Sequence, residues 1–315
     1  MCTAIRFDEK FFGRTLDFEQ GFGEELIVTP REFTRIGEAN NRYAIMGVGV
    51  KNGHTPLYFD GVNEWGLAAA ALNFPGRAVY GGYLGSRTGV SSAHIISLVL
   101  GFCRSVAEAK EMLDKIYVTD EGADESTPPT ALHWIIADSR ESVVVESVRE
   151  GLCIYDNPVG VLTNSPEFPY QLCRLADYVN LSAAQPKSYP HYAPAYSRGM
   201  GAIGLPGDYS STSRFVRADF VSRNTLSAEE GEISRAFHIL SAVSVPLGCV
   251  LTDEGRAVST IYTTCVDMEN PTYYLTTAAC RTIRSIRLTD ELIEAGELMS
   301  FPIYRDEIII PLDNA

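Results

Sequence analysis

Cysteine at position 2, directly behind Met1, concentrates more chemistry than any other single residue of this chain. If Met1 is removed, the thiol is a nucleophile and the freed α-amino group, with an ordinary pKa of roughly 7.7–8.0, is a base near neutral pH. No histidine partner is then required. The cysteine side chain is small enough for methionine aminopeptidases to accept. Gly13-Arg14-Thr15-Leu16-Asp17 places a cation and a carboxylate where a second strand can return beside the first. An arginine near the sulfur favours thiolate over thiol, lowering a pKa that starts around 8.5, and a carboxylate near the amine orients it. The competing reading is a surface ion pair in a hairpin. Residues three apart lie on opposite faces of a regular strand, so both reach one site only if the strand bends or ends there.

Two asparagines close apolar runs: Asn73 after Gly66 to Leu72, and Asn164 after Gly160-Val161-Leu162-Thr163. An amide or backbone N–H fixed at a strand end can stabilise charge developing on a carbonyl oxygen. Asparagine before Pro75 or Pro166 forms turns equally well. Arg214 sits in Ser213-Arg214-Phe215-Val216-Arg217, on a helix surface or in a site.

Other chemistries find less support. Gly199-Met200-Gly201-Ala202-Ile203-Gly204 matches a dinucleotide fingerprint as a string, but Pro194-Ala195-Tyr196-Ser197-Arg198 before it is no apolar strand, and Pro206-Gly207 follow where a helix should continue. It reads as a glycine-rich loop. The five histidines, His54, His94, His133, His191 and His238, are scattered with no metal-ligand spacing, and His133 reads as a core histidine. Seven widely spaced cysteines without a CxxC pair point away from disulfides and structural zinc. Apart from Cys2 they read as small buried hydrophobes. No metal and no cofactor is expected.

A formal charge of −14 with a pI near 4.8 disfavours nucleic acid and anionic membranes as partners. At 45% hydrophobic residues the 315-residue chain has material for a sizeable core. Arg6, Asp8, Glu9, Lys10 and Arg14 leave no apolar core for a signal peptide, which predicts a cytoplasmic protein. His94 to Cys103 is too short to span a bilayer.

The elements that must position these groups follow from local pattern. Strands are predicted at Cys2 to Phe7, Phe11 to Asp17, Glu25 to Thr29, Tyr43 to Val50, Leu57 to Asp60 and Gly66 to Leu72. Helices follow from Ser91 to Cys103 and from Ser105 to Ile116, the latter opened by a Ser105/Glu108 capping box. After the loop Asp120 to Pro129, strands resume at Ala131 to Ala137, Ser142 to Val148 and Leu152 to Tyr155. Helical patterns occupy Tyr170 to Asn180, Ser213 to Arg223 and Glu229 to Val243, and strands close the chain at Val258 to Val266, Tyr273 to Thr277 and Ile283 to Leu288. Runs of strands alternating with runs of helices suit two antiparallel sheets with helices outside them better than a doubly wound parallel sheet. No linker or repeat divides the chain, so residues 1–315 are expected to form one domain.

Taken together, MCTAIRF at the start, GRTLDF from Gly13, NEWGLAAAALNFPG from Asn63, ALHWIIAD from Ala131, SVVVE from Ser142, NPVGVLTNSP from Asn157 and YSRGMGAIGLPGDYSSTSRFVRA from Tyr196 resemble the choloylglycine hydrolase family, the N-terminal nucleophile hydrolases that comprise bile salt hydrolases and penicillin V acylases. The resemblance runs through nearly the whole chain. It implies an α+β fold, a four-layer αββα sandwich of two antiparallel sheets flanked by helices. It also implies that Cys2 becomes the nucleophile on loss of Met1, with Arg14 beside its sulfur, Asp17 on the α-amino group, Asn73 N–H and the Asn164 side chain as oxyanion hole, and Arg214 completing the network. The implied reaction is cleavage of an amide through a thioester. Asn73 matches the bile salt branch, where penicillin V acylases tend to carry tyrosine, so the implied substrate is a glycine- or taurine-conjugated bile salt. Leu16, Phe18 and Phe59 are candidate lining residues for the steroid. Penicillin V or another N-acyl amide is the alternative substrate, and a catalytically silent binding protein the alternative class. The resemblance further implies a homotetramer, with Arg198 to Gly207 as an inter-subunit loop.

Overall fold

The computed structural model describes residues 1–37, 39–81, 85–124, 127–186, 197–226, 231–304 and 306–312. His191, Tyr196 and the start of the helix expected from Glu229 lie outside them. Two large antiparallel sheets form the centre. In the first the strand order is Val161–Leu162, Cys2–Phe7, Phe11–Phe18, Ala257–Asp267, Thr272–Thr277 and Arg284–Arg287, with Val250–Leu251 added on Ala257–Asp267. The second runs Gly151–Asp156, Ser142–Val148, Leu132–Ala137, Ala68–Asn73, Leu57–Asn63, Ile45–Val50, Glu25–Thr29 and Met299–Pro302.

Alternation along the second sheet explains why both of its faces are covered. Ala68, Ala70, Leu72, Ile135 and Val144 join the core between the sheets, whereas Ala69, Trp134, Ile136, Val143 and Val145 pack outward with Ile95, Val99 and Leu100 of the helix Ile95–Phe102. On the first sheet the outer cover comes from Phe215 and Ala218 of the helix Ser211–Asn224 and Ala236, Ile239 and Leu240 of Glu232–Ser241. The layers are therefore helix, sheet, sheet, helix, as expected.

The elements agree with the sequence reading to within a few residues, and the departures have physical causes. Leu57–Asn63 continues past Asp60, the last residue of the strand expected there. That carboxylate is 1% exposed and paired inside the core, so it does not need water. Ile116 leaves its helix to begin Ile116–Thr119, which pairs in parallel with Thr88–Ser91, an arrangement that local pattern does not announce. Ser105 caps Val106–Leu113 by accepting from Glu108 N, but the Glu108 carboxylate returns to Arg104 N rather than to the cap residue. Gly199 to Gly204 is a loop with one 3₁₀ turn, Met200–Ala202.

Two irregularities matter for the site. Opposite Val48 and Gly49 the partner strand moves from Asp60 to Tyr58, leaving Phe59 as a bulge residue. Opposite Asp17 and Leu16 the partner moves from Thr260 to Tyr262. Both bulges border the end of the first strand. The turn before Ala68–Asn73 depends on Gly66, whose φ of +80° is costly for other residues and whose added Cβ would strike the Met268 carbonyl. Gly66→Ala is expected to destabilise the fold by about 2 kcal/mol or more. Thermal unfolding of the variant beside the parent checks this.

Candidate active site

Cys2 opens the first strand, where its side chain and its amide nitrogen leave in different directions. In register, Cys2 faces Leu16 and Ala4 faces Arg14, so these four residues share the face turned to the second sheet. There Arg14 Nη2 donates to Cys2 Sγ at 2.9 Å. Both side chains are buried, Cys2 at 1% and Arg14 at 0% exposure. The guanidinium enters where two strands separate: pairing between Leu57–Asn63 and Ala68–Asn73 stops at Asp60 and Ala70. Beyond that point the carbonyls of Phe59 and Ala71 accept from Arg14 Nη1 at 3.0 and 3.2 Å. The bulge at Phe59 thus exposes an acceptor that a regular ladder would have used. Burial works against the Arg14 charge, but Tyr262, the Cys2 sulfur and Asp60 outweigh it and hold the guanidinium above its ordinary range.

Thr15 and Asp17 occupy the opposite face. Asp17 Oδ2 accepts from Thr15 Oγ1 at 3.2 Å and Oδ1 from Thr260 Oγ1 at 2.6 Å. Burial pushes its carboxyl up, against the pull of Arg214, the Thr260 hydroxyl and the N-terminal amine. Arg14 and Asp17 therefore do remain on opposite faces, and they flank Cys2 because it lies at the strand's end. With Met1 in place the ladder extends one residue: Asp17 N donates to Met1 O at 2.9 Å and the Met1 ammonium to Asp17 O at 2.5 Å.

The Cys2 amide donates to Asn164 Oδ1 at 2.8 Å, so in this form its nitrogen meets Asn164 rather than the Asp17 carboxylate. Arg214, fully buried near the start of its helix, donates to the same oxygen at 2.8 Å, and its other terminal nitrogen donates to Cys2 O at 2.5 Å and Thr3 Oγ1 at 2.6 Å. Burial lowers the Arg214 pKa, opposed by Asp17 and Cys2. With Oδ1 committed to these donors, Asn164 must present Nδ2 to Asn73 O, at 2.7 Å. A second amide hydrogen remains for another acceptor. Asn164 is held in turn by Ser211 Oγ on its N–H and Gln171 Nε2 on its carbonyl. Cys2, Arg14, Asn73, Asn164 and Arg214, spread over the chain, are thus joined by hydrogen bonds, and Asp17 stands beside them through its backbone pairing with Met1. The arrangement sets a guanidinium against the Cys2 sulfur and an Asn164 amide nitrogen against the end of the strand that carries Asn73.

Of the candidate lining residues, Leu16 is buried in register with Cys2, while Phe18 and Phe59 are half-buried. A residue the sequence reading passed over, Phe22, joins them: its ring lies edge-on to Phe18 at 5.0 Å and to Phe59 at 5.6 Å, and is 47% exposed. Its signal was an aromatic between glycines in the polar stretch Glu19 to Glu25. Glu24 fixes that stretch by accepting from Phe22 N. Two cavities of about 940 and 770 Å³ lie elsewhere, under the helices Ile95–Phe102 and Glu232–Ser241, and neither is lined by Cys2 or Arg14.

His133 is a core histidine as expected, bonded to Thr163 O at 2.8 Å and Glu146 at 3.0 Å and stacked on Phe74. All seven cysteines are free. Cys103, Cys265 and Cys280 are buried and Cys153 half-buried, but Cys173 and Cys249 are exposed, contrary to their reading as buried hydrophobes. Cys173 occupies the outer side of the short helix Phe168–Arg174, and Cys249 a turn before Val250–Leu251. Among the described residues no group of three or more His, Cys, Asp or Glu side chains is arranged to hold a metal ion, and no helix is long and apolar enough to cross a membrane.

Comparison with known proteins bears directly on this arrangement. The family model described as linear amide C-N hydrolases, choloylglycine hydrolase family, matches residues 2–301. A bile salt hydrolase/transferase from Lactiplantibacillus plantarum is 42% identical over 314 residues, covering 96% of this chain and 97% of the relative. The crystal structure of the C2A mutant of the conjugated bile acid hydrolase from Clostridium perfringens superposes with a TM-score of 0.92 at 32% identity, covering 99% of this chain and 100% of that one. A penicillin V acylase from Agrobacterium tumefaciens follows with a TM-score of 0.76 at 25% identity, covering 98% and 95%. With the match spanning nearly the whole length and the sandwich shared, this chain belongs to the choloylglycine hydrolase family and is a hydrolase of linear amide C–N bonds.

Proposed function

We propose that the chain, after loss of Met1, cleaves glycine- or taurine-conjugated bile salts with Cys2 as nucleophile. The freed α-amine of Cys2 takes the thiol proton and the sulfur attacks the amide carbonyl carbon. The oxyanion is received by Asn73 N–H and Asn164 Nδ2. Collapse breaks the C–N bond, the departing amine takes the proton from the Cys2 ammonium, and glycine or taurine leaves a thioester. Water, deprotonated by the same amine, then releases the bile acid and restores the thiol. Asp17 and Arg214 hold the N-terminal residue while this happens.

The observation that carries this reading is the 2.9 Å contact of Arg14 with Cys2 Sγ, in a buried setting whose other side is the Asn164–Arg214 network. For the substrate, support comes from the relatives named for bile salts and from the edge-on Phe18, Phe22 and Phe59 rings, an apolar surface continuous with the Arg14 acceptor at Phe59. Asn73 in place of a tyrosine points the same way. The penicillin V acylase neighbour keeps a second reading alive, a phenoxyacetyl amide. Under the same family reading the protein is cytoplasmic and a homotetramer, with Arg198 to Gly207 between subunits; Ile203 on that loop is 66% exposed. Sedimentation equilibrium giving a monomer would remove the last point.

Incubation of Met1-free protein, verified by intact mass, with glycocholate, taurocholate and phenoxymethylpenicillin should release glycine and taurine faster than phenoxyacetate. No amino acid release from such protein would sink the bile salt assignment, and faster penicillin turnover would favour the second reading. Cys2→Ser is expected to reduce kcat/KM by at least about 10³-fold, and protein retaining Met1 should be equally silent. Normal turnover by either would exclude the mechanism. Asn164→Ala should reduce kcat by about 10²–10³-fold as an oxyanion donor is lost, measured under saturating glycocholate.

A further inference from the structure

Arg14 lies between two acceptors, the Cys2 sulfur on one side and a carboxyl group on the other. On its far side stands Asp60, whose Oδ2 is 3.5 Å from Arg14 Nη1, with side-chain exposures of 0% and 1%. Asp60 is itself gripped from the first sheet: Tyr262 donates to Oδ2 at 2.7 Å, Thr264 approaches Oδ1 at 3.4 Å, and the Tyr273 hydroxyl donates to Oδ1. Tyr262 and Tyr273 are wholly buried, so these hydroxyls have no water to turn to. The cluster bridges the two sheets, since Asp60 belongs to one and its hydroxyl donors to the other. The Tyr262 ring also stands 5.8 Å from the Arg14 guanidinium.

Burial pushes the Asp60 carboxyl up, and Arg14 with the Tyr273, Tyr262 and Thr264 hydroxyls pulls against it, so its negative charge in this dry place depends on those partners. It satisfies part of the Arg14 charge that the sulfur would otherwise have to satisfy alone. We propose that Asp60, held by Tyr262, Tyr273 and Thr264, is the positioning residue that anchors Arg14 between the sheets and divides its charge, leaving the Cys2 sulfur stabilised but still reactive. The inference rests on Cys2 being the nucleophile. Its physical content is a balance: a thiolate paired with an undivided cation forms more readily, and it attacks more slowly because nucleophilicity falls with basicity.

The test is the pH dependence of Cys2 alkylation by iodoacetamide, followed by peptide mapping on Met1-free protein, with kcat and KM for glycocholate in parallel. Asp60→Asn keeps the shape and removes the charge. The Cys2 midpoint is expected to move down by about one pH unit, and the plateau alkylation rate and kcat to fall about threefold, with KM within about twofold. A midpoint that stays or rises overturns the proposal. Should Asp60→Asn fail to fold, Tyr262→Phe decides: it removes a donor from Asp60 and keeps the ring, so a smaller downward shift supports the proposal and an unchanged midpoint overturns it. If Cys2 of the parent protein is not selectively alkylated, the nucleophile assignment fails first, a result separate from unchanged midpoints with a reactive Cys2.

Discussion

A positive charge held in a dry interior beside a sulfur is the constraint around which the rest of the molecule is arranged. An unpaired guanidinium in such a place costs several kcal/mol, so acceptors and countercharges have to be brought to it from every direction. Both sheets contribute. One strand bulges to free the Phe59 carbonyl, another parts from its neighbour to free that of Ala71, and Asp60 sits inside an otherwise apolar strand. The sandwich is the scaffold that makes this possible, because between two packed sheets groups distant in sequence converge away from water.

The position of Cys2 at a strand's beginning resolves a geometric difficulty. A nucleophile that also supplies its own base needs its sulfur and its nitrogen addressed separately, and a strand interior would address only the side chain. At the terminus, the Arg14 face deals with sulfur and the other edge, through Asn164 and Arg214, with nitrogen and carbonyl. Asn164 is the pivot, since both of its amide ends are spoken for and its orientation is thereby fixed.

Much of this was legible before any coordinates. Alternation and turn residues locate most strands, and the layer order follows from strands and helices coming in runs. The residues around Cys2 were candidates by chemical type, each with a surface or turn reading equally open, and the resemblance to the family is what gave them roles. Asp60, Tyr262 and Tyr273 were not among them. They are polar groups that satisfy one another only after the sheets meet, and nothing local distinguishes a paired buried aspartate from a strand-ending one. Phe22 was missed for the opposite reason, that an aromatic in a polar loop makes sense only beside Phe18 and Phe59. The exposed Cys173 and Cys249 show the limit of residue-type averages, since short helices and turns leave one side to solvent whatever residue falls there.

The ladder that runs through Met1 bears on its removal. Once the first sheet has closed, Met1 is tied to Asp17 at both its nitrogen and its carbonyl, and Cys2 beyond it is 1% exposed. An exopeptidase must grasp an extended, free terminus, and here the half-buried Met1 is already engaged as strand backbone. For a chain that loses Met1, trimming and closure of this ladder therefore draw on the same backbone groups. Under the proposed mechanism the active fraction of a preparation then depends on its first residue as well as on the quality of its fold.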